Sequence, residues 1–215
     1  DYTNSKPRAT GYTANLLAIK PSVGFNLSSD TRVRLSYKLE NIDVTAVGTS
    51  EVLKQDLGKS TRSLIDLSLS HDKRDSIIKP TKGYMIKFGS EIAGLGGDEQ
   101  FVKSKASGKI YQGIYGNNII FSTEIEGGIL TMNKGYSKVV DRFLLGGRSF
   151  RGFKYSGIGP RELAGGQYTI PLGGEKYAIA RFAASFPLGL PRELGLYGVS
   201  LIHISEPTRL SVISY

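Results

Sequence analysis

Strict alternation of apolar and polar residues constrains this chain more than any other feature. In "RVRLSYKLE" the residues Val33, Leu35, Tyr37 and Leu39 fall on one side of an extended backbone, and Arg32, Arg34, Ser36, Lys38 and Glu40 on the other. "SLIDLSLSHD" sets Ile65, Leu67 and Leu69 against Asp66, Ser68, Ser70 and Asp72. "YMIKFGSEI" sets Tyr84, Ile86, Phe88 and Ile92 against Lys87 and Glu91, and "NIIFSTEIEGGI" sets Ile119, Phe121, Ile125 and Ile129 against Ser122, Glu124 and Glu126. A period of two belongs to strands with one apolar and one polar face. Further strand candidates are residues 11–27, 99–115, 175–187 and 193–199, which makes about eight strands separated by turn residues, with no convincing helix.

The length of these segments narrows the fold. A globular strand is typically ~5–6 residues, whereas a tilted membrane-spanning strand needs ~9–11. Here alternation persists over ten or more residues, and the polar faces carry rows of full charges that an aqueous lumen tolerates. Twelve tyrosines could furnish the aromatic girdles of such a barrel. A mean hydropathy of −0.16 and 40% hydrophobic residues suit a soluble protein and a transmembrane barrel alike. No run approaches the ~18 apolar residues of a spanning helix, so a helical membrane protein is excluded. The expected fold is all-β: an antiparallel transmembrane barrel fragment, incomplete and open.

The net charge of +9 fits nucleic acid, anionic lipid or a solvated surface equally well. Zero cysteines removes disulfides and thiol catalysis. The chain opens at Asp1 without methionine or signal peptide, as a piece of a longer protein would. At the other end, residues 200–210, "SLIHISEPTRL", resemble the one-frame translation of a transposase adaptor used in sequencing libraries, and Ile213-Ser214-Tyr215 resembles its fixed continuation. The expected division is a barrel domain over 1–199 and a non-biological tail over 200–215, in which His203 and Glu206 carry no meaning.

Pro80–Gly83 and Leu27–Asp30 read as tight turns, and residues 46–60 and 141–174 as longer loops, an asymmetry expected of an outer-membrane barrel. The second loop contains "FLLGGRSFRGFKYSGIGPRE", Phe143 to Glu162, with Arg148, Arg151, Arg161 and four aromatic residues. Its Gly146-Gly147 pair, Arg151-Gly152-Phe153 triplet, Tyr155 and Gly159-Pro160 resemble the sixth extracellular loop of the BamA family of outer-membrane β-barrel assembly proteins. Upstream, "SHDKRDSIIKPTKGYMIKFGSEIAGLGGD" is similar to that family's strand, Asp-rich turn, Pro-Thr-x-Gly and following strand; downstream, "LGGEKYAIARFAASFPLGLP" resembles the strand after the loop. The likeness covers residues 10–199.

This resemblance implies that the loop folds back into the lumen, where Arg151 meets carboxylates on the inner wall. Guanidinium suits that contact because it is always charged and binds carboxylate bidentately. Gly152 would permit close approach or a positive φ, and Phe153 would pack on the wall. Two departures stand out: Phe150 replaces a β-branched residue, and Ala183 occupies the place of an expected glutamate partner. A second partner, an aspartate, would fall just beyond "LYGVS".

Other candidates read as structural. Glu124 and Glu126 are expected to line the lumen rather than to form a catalytic pair, and His71 to end a strand. Gly94–Asp98 lacks the lysine and helix of a phosphate loop and reads as a hairpin turn. Lys103, Lys105 and Lys109 share one strand face, either in a basic lumen or against anionic lipid. The family implies a non-enzymatic role in assembling and inserting β-barrel proteins at the bacterial outer membrane, without cofactor or metal. Its partners would be nascent outer-membrane barrels, assembly lipoproteins, periplasmic chaperones and lipid, not nucleic acid. A secretion or translocation pore of the same superfamily, a passive porin and a soluble polyanion-binding β-domain are the alternatives.

Overall fold

The computed structural model describes residues 2–3, 12–47, 50–147, 149–150, 152–164, 167–188 and 197–207. Twelve strands and one helical turn follow in order: β1 (Tyr2–Thr3), β2 (Tyr12–Ile19), β3 (Ser22–Asn26), β4 (Thr31–Val47), α1 (Glu51–Lys54), β5 (Gly58–Asp72), β6 (Lys82–Gly97), β7 (Gln100–Ile114), β8 (Ile119–Lys134), β9 (Arg161–Ala164), β10 (Gln167–Pro171), β11 (Lys176–Pro187) and β12 (Tyr197–Pro207). One antiparallel sheet runs β1-β2-β4-β5-β6-β7-β8-β11-β12, with β3 also paired to β4; β9 and β10 form a separate hairpin. Strands adjacent in sequence are mostly adjacent in the sheet, and its two edges remain open among the described residues. The architecture is therefore an incomplete, open antiparallel barrel.

Burial along β4 shows which way the sheet faces. Leu35, Tyr37 and Leu39 are 43–49% exposed, whereas Ser36 and Glu40 on the opposite face are 2% exposed. A water-soluble sandwich would show the reverse. The arrangement suits a wall whose outer side meets lipid and whose inner side meets water and protein.

Several expectations need adjustment. Residues 11–27 are divided at Pro21, which has no N–H to give the ladder. The register nevertheless continues across it, from Ile19↔Leu39 to Ser22↔Ser36, and the Pro21 carbonyl accepts from the Tyr37 amide at 3.1 Å. Residues 46–60 contain α1, whose Ser50 cap accepts from the Leu53 amide, as well as the start of β5. The hairpin β9–β10 lies within the long loop. Loop asymmetry holds only partly: the side bearing α1 and the long loop between β8 and β11 also bears the two-residue turn 98–99, opposite 27–30, 73–81 and 115–118. β12 continues through position 199, pairing with β11 from Tyr197↔Pro187 to Pro207↔Tyr177.

The main core lies between sheet and loop. Leu64, Phe101, Leu130, Tyr177 and Ile179 from the polar face pack with Phe143, Leu145 and Phe150 of the loop. The loop thus covers the only part of that face where apolar residues gather into a large cluster among the described residues.

Candidate inner-wall loop site

Residues 135–175 leave β8 and return to β11 after folding over the polar face. Phe143 opens the contact. Its backbone exchanges hydrogen bonds with Gly174 at 2.9 and 3.0 Å, and its ring lies 4.7 Å from that of Tyr177. Gly128 makes room for this pair, since a Cβ there would meet Tyr177 at 2.5 Å and Phe143 at 2.9 Å. The ammonium groups of Lys103 and Lys105 sit 5.1 and 5.4 Å from the Phe143 ring centre. These lysines therefore belong to the inner face, which decides between the two expected settings.

The motif itself is a compact set of turns. The Ser149 hydroxyl donates to the Gly146 carbonyl at 2.9 Å, Gly147 N–H to the Phe153 carbonyl at 3.1 Å, and Gly157 N–H to the Lys154 carbonyl at 2.8 Å. Gly146 has φ +130, and a Cβ would lie 2.2 Å from the Lys154 carbonyl oxygen. Gly152 and Gly159 also have positive φ, at 89 and 121. The Pro160 carbonyl accepts from Leu172 N–H at 2.9 Å, closing the far end of the loop. Phe150 is the buried ring at 4% exposure, whereas Phe153, the expected anchor, is 51% exposed and meets Phe150 edge-on at 5.3 Å. Tyr155 is exposed. Arg148 and Arg151 lie outside the described residues.

Arg181 on β11 ties the wall to the motif. Its fork donates to Glu124 at 2.8 Å and Glu126 at 2.9 Å on β8, while Nε donates to the Ser149 carbonyl at 3.1 Å. Glu126 also accepts from the Tyr177 hydroxyl at 2.7 Å, and Lys109 lies 3.3 Å from Glu124. The two glutamates are thus partnered inner-wall carboxylates. Ala183 lies opposite Ser122 and Leu201 in the neighbouring strands and lines an open cavity of about 620 Å³ together with Arg181, Glu124 and Glu126. His71 is held by Thr31 at 2.8 Å, near the end of β5.

A second charged cluster fixes the root of the loop. Arg62 on β5 donates to Glu40 on β4, to Glu99 in the 98–99 turn at 2.9 Å, and to Asp141 in the loop at 2.6 Å. Lys38 reaches Glu40 at 2.8 Å and Lys138 reaches Glu99 at 2.6 Å. Arg62, Glu40, Glu99 and Asp141 are all buried. Burial pushes the Asp141 carboxyl up, and the Arg62 charge offsets only part of this. Burial acts the same way on Glu99, but the Lys138 hydrogen bond and Arg62 outweigh it and hold that carboxyl down. Further out, Glu162 accepts from the Ser50 hydroxyl and from Glu51 N–H at 3.0 Å.

A family model described as the Omp85 superfamily domain matches residues 1–200. The chain belongs to the Omp85 superfamily. It is 28% identical over 215 residues to "Outer membrane protein assembly factor BamA" of Neorickettsia risticii, across 98% of this chain and 28% of that one. It is also 35% identical over 131 residues to the bovine "Sorting and assembly machinery component 50 homolog", across 60% of this chain and 27% of that one. Among solved structures, BamA from Haemophilus ducreyi lacking POTRA domains 1–3 superposes with a TM-score of 0.80 at 12% identity, covering 91% of this chain and 42% of that one. This Omp85 chain therefore spans less than a third of the two named relatives' length, and its open sheet has the fold of part of the BamA barrel.

Proposed function

We propose that the protein to which this chain belongs assembles β-barrel proteins and inserts them into the bacterial outer membrane, without chemical catalysis. The observation that carries this reading is the motif-bearing loop lying on the inner face of a wall whose outer face is apolar, in a chain whose residues 1–200 match the Omp85 superfamily domain and which is similar to an outer-membrane assembly factor. Residues 200–215 are proposed to be foreign to the native protein.

In this mechanism a nascent outer-membrane chain presents a strand to an unpaired edge of the barrel, whose free backbone groups template its hydrogen bonding. Pairing in lipid is strongly driven, because each unsatisfied backbone group there costs several kcal/mol. Assembly lipoproteins and periplasmic chaperones would deliver the client, and lipid beside the edge would yield to it. The Gly146–Pro160 loop, with Arg151 in its proposed role on inner-wall carboxylates, braces a cylinder that must deform at its edge.

The test is depletion of the full-length protein in its own host. Levels of other outer-membrane barrel proteins are expected to fall, and Arg151→Ala is expected to reproduce part of that fall with strand content retained. Unchanged levels of those proteins, with loss of small-solute permeability alone, would mark a passive porin instead.

A further inference from the structure

We infer that Arg62 is a positioning residue for the long loop, and that the Arg62 cluster is a reversible latch rather than a permanent bolt. The charge arithmetic on each side of the contact points to this. The sheet and its 98–99 turn contribute Arg62, Lys38, Glu40 and Glu99, two cations and two anions that already touch one another. The loop contributes Asp141, which joins Arg62, and Lys138, which joins Glu99. It therefore adds one anion and one cation.

Within this ion-paired set, each half is neutral on its own. Glu40 and Arg62 are direct cross-strand partners in the β4–β5 ladder, so their pairing is held by the sheet whether or not the loop is down. Lifting the loop would leave Arg62 with two carboxylates, inside a set of two cations and two anions that still pair with one another. A buried ion cluster resists loss of one member strongly, because the remaining charge is stranded, yet it tolerates removal of a balanced set. This asymmetry is what a contact that opens and recloses requires. The two loop residues are also held at a fixed spacing, since Asp141 N–H donates to the Lys138 carbonyl at 3.0 Å. They can leave and return as a unit.

Flanking contacts guide the return. Val139 packs with Leu53 and Ile170, its amide donates to Asp56 at 2.8 Å, and Val140 packs beside Ile42 and Val44. The apolar contacts favour the lowered position without fixing its register. The three carboxylate contacts of Arg62 supply the register. Lysine, a single point charge, would not direct donors to three carboxylates in this way.

The experiment uses the full-length protein in detergent or lipid, spin-labelled through Lys154→Cys in the loop and Ile78→Cys in the 73–81 turn. The distance between labels reports docking, and heat-modifiable gel migration reports barrel stability. Asp141→Asn and Lys138→Met singly are expected to lower barrel stability. The double variant Asp141→Asn/Lys138→Met is expected to migrate closer to the unsubstituted protein than either single, while shifting the docked-to-lifted ratio by roughly tenfold, equivalent to ~1.4 kcal/mol. Arg62→Lys should broaden the distance distribution while keeping the barrel folded. An unchanged distance in the double variant, or a double variant less stable than both singles, would overturn the latch. Loop position is read without any assembly assay, so a failed assembly activity leaves this measurement standing, and the reverse holds too.

Discussion

The Nε of Arg181 donates to the carbonyl oxygen of Ser149 at 3.1 Å, joining the strand that follows the long loop to the loop's own motif. The rest of the guanidinium is held by Glu124 and Glu126, so its orientation is set by the sheet. Arg181→Lys retains the charge but loses the fork. It is expected to raise amide exchange in residues 146–157 with little effect on β8 and β11. Arg181→Ala removes the cation shared by Glu124 and Glu126, leaving them Lys109 and the Tyr177 hydroxyl, and should cost about 1–3 kcal/mol, read from denaturant unfolding of the full-length barrel.

Gly128→Ala tests the seat of Phe143. The added methyl meets both Tyr177 and Phe143 well inside van der Waals contact, and overpacking of this kind costs about 1–3 kcal/mol. Limited proteolysis should cut the 135–175 loop faster in this variant. Gly108→Ala, where a Cβ meets nothing within 4 Å, serves as the control and should leave cleavage unchanged.

Phe150 and Phe153 differ in burial and should differ in consequence. Phe150→Ala removes a ring from the core and is expected to cost about 3–5 kcal/mol. Phe153→Ala removes a half-exposed ring and should stay within about 1 kcal/mol. Thermal unfolding of the two variants side by side decides the matter, and a larger effect at Phe153 would return the anchoring role to the motif residue.

Both rings are visible in the sequence, but which one is buried is not. The motif drew attention to the residue after Arg151-Gly152, whereas burial depends on which turn of the loop presses on the sheet. The long alternating strands were legible because each crosses the wall with one face in each environment. By contrast, α1 is a single turn and β9–β10 a short hairpin, too brief to imprint a period. Arg62, Glu40, Glu99 and Asp141 come from four separate places in the chain and meet only after the sheet has formed, so no local spacing announces them. The best available signal was Arg62 and Glu40 lying on inner-face positions of consecutive strands. Arg181 was equally readable as an inner-face cation, but the partners Glu124 and Glu126 become visible only through register.

Asp75 gives a pH prediction outside the wall. Its carboxylate accepts from the Thr81 hydroxyl at 2.5 Å and from the amides of Thr81 and Lys82 at 2.9 and 3.1 Å. The Thr81 hydroxyl, followed by these backbone amides, holds its pKa down to about 2, from an ordinary 3.8. Because the folded value lies below the unfolded one, the turn's contribution is present above pH 3.8 and lost as pH falls through about 2. Carboxyl-detected NMR of the 73–81 turn should give a midpoint near 2, and Thr81→Val should move it upward.

Assembly of a second protein by this barrel is measured most directly by reconstituting the full-length protein in lipid vesicles. An unfolded outer-membrane barrel protein is then added, and its folding rate is compared with the rate in protein-free vesicles. Faster folding, reduced when Arg151→Ala is introduced, is the expected result. Equal rates in both kinds of vesicle, from a reconstituted protein that is itself folded and steadily conducts ions, would contradict the account.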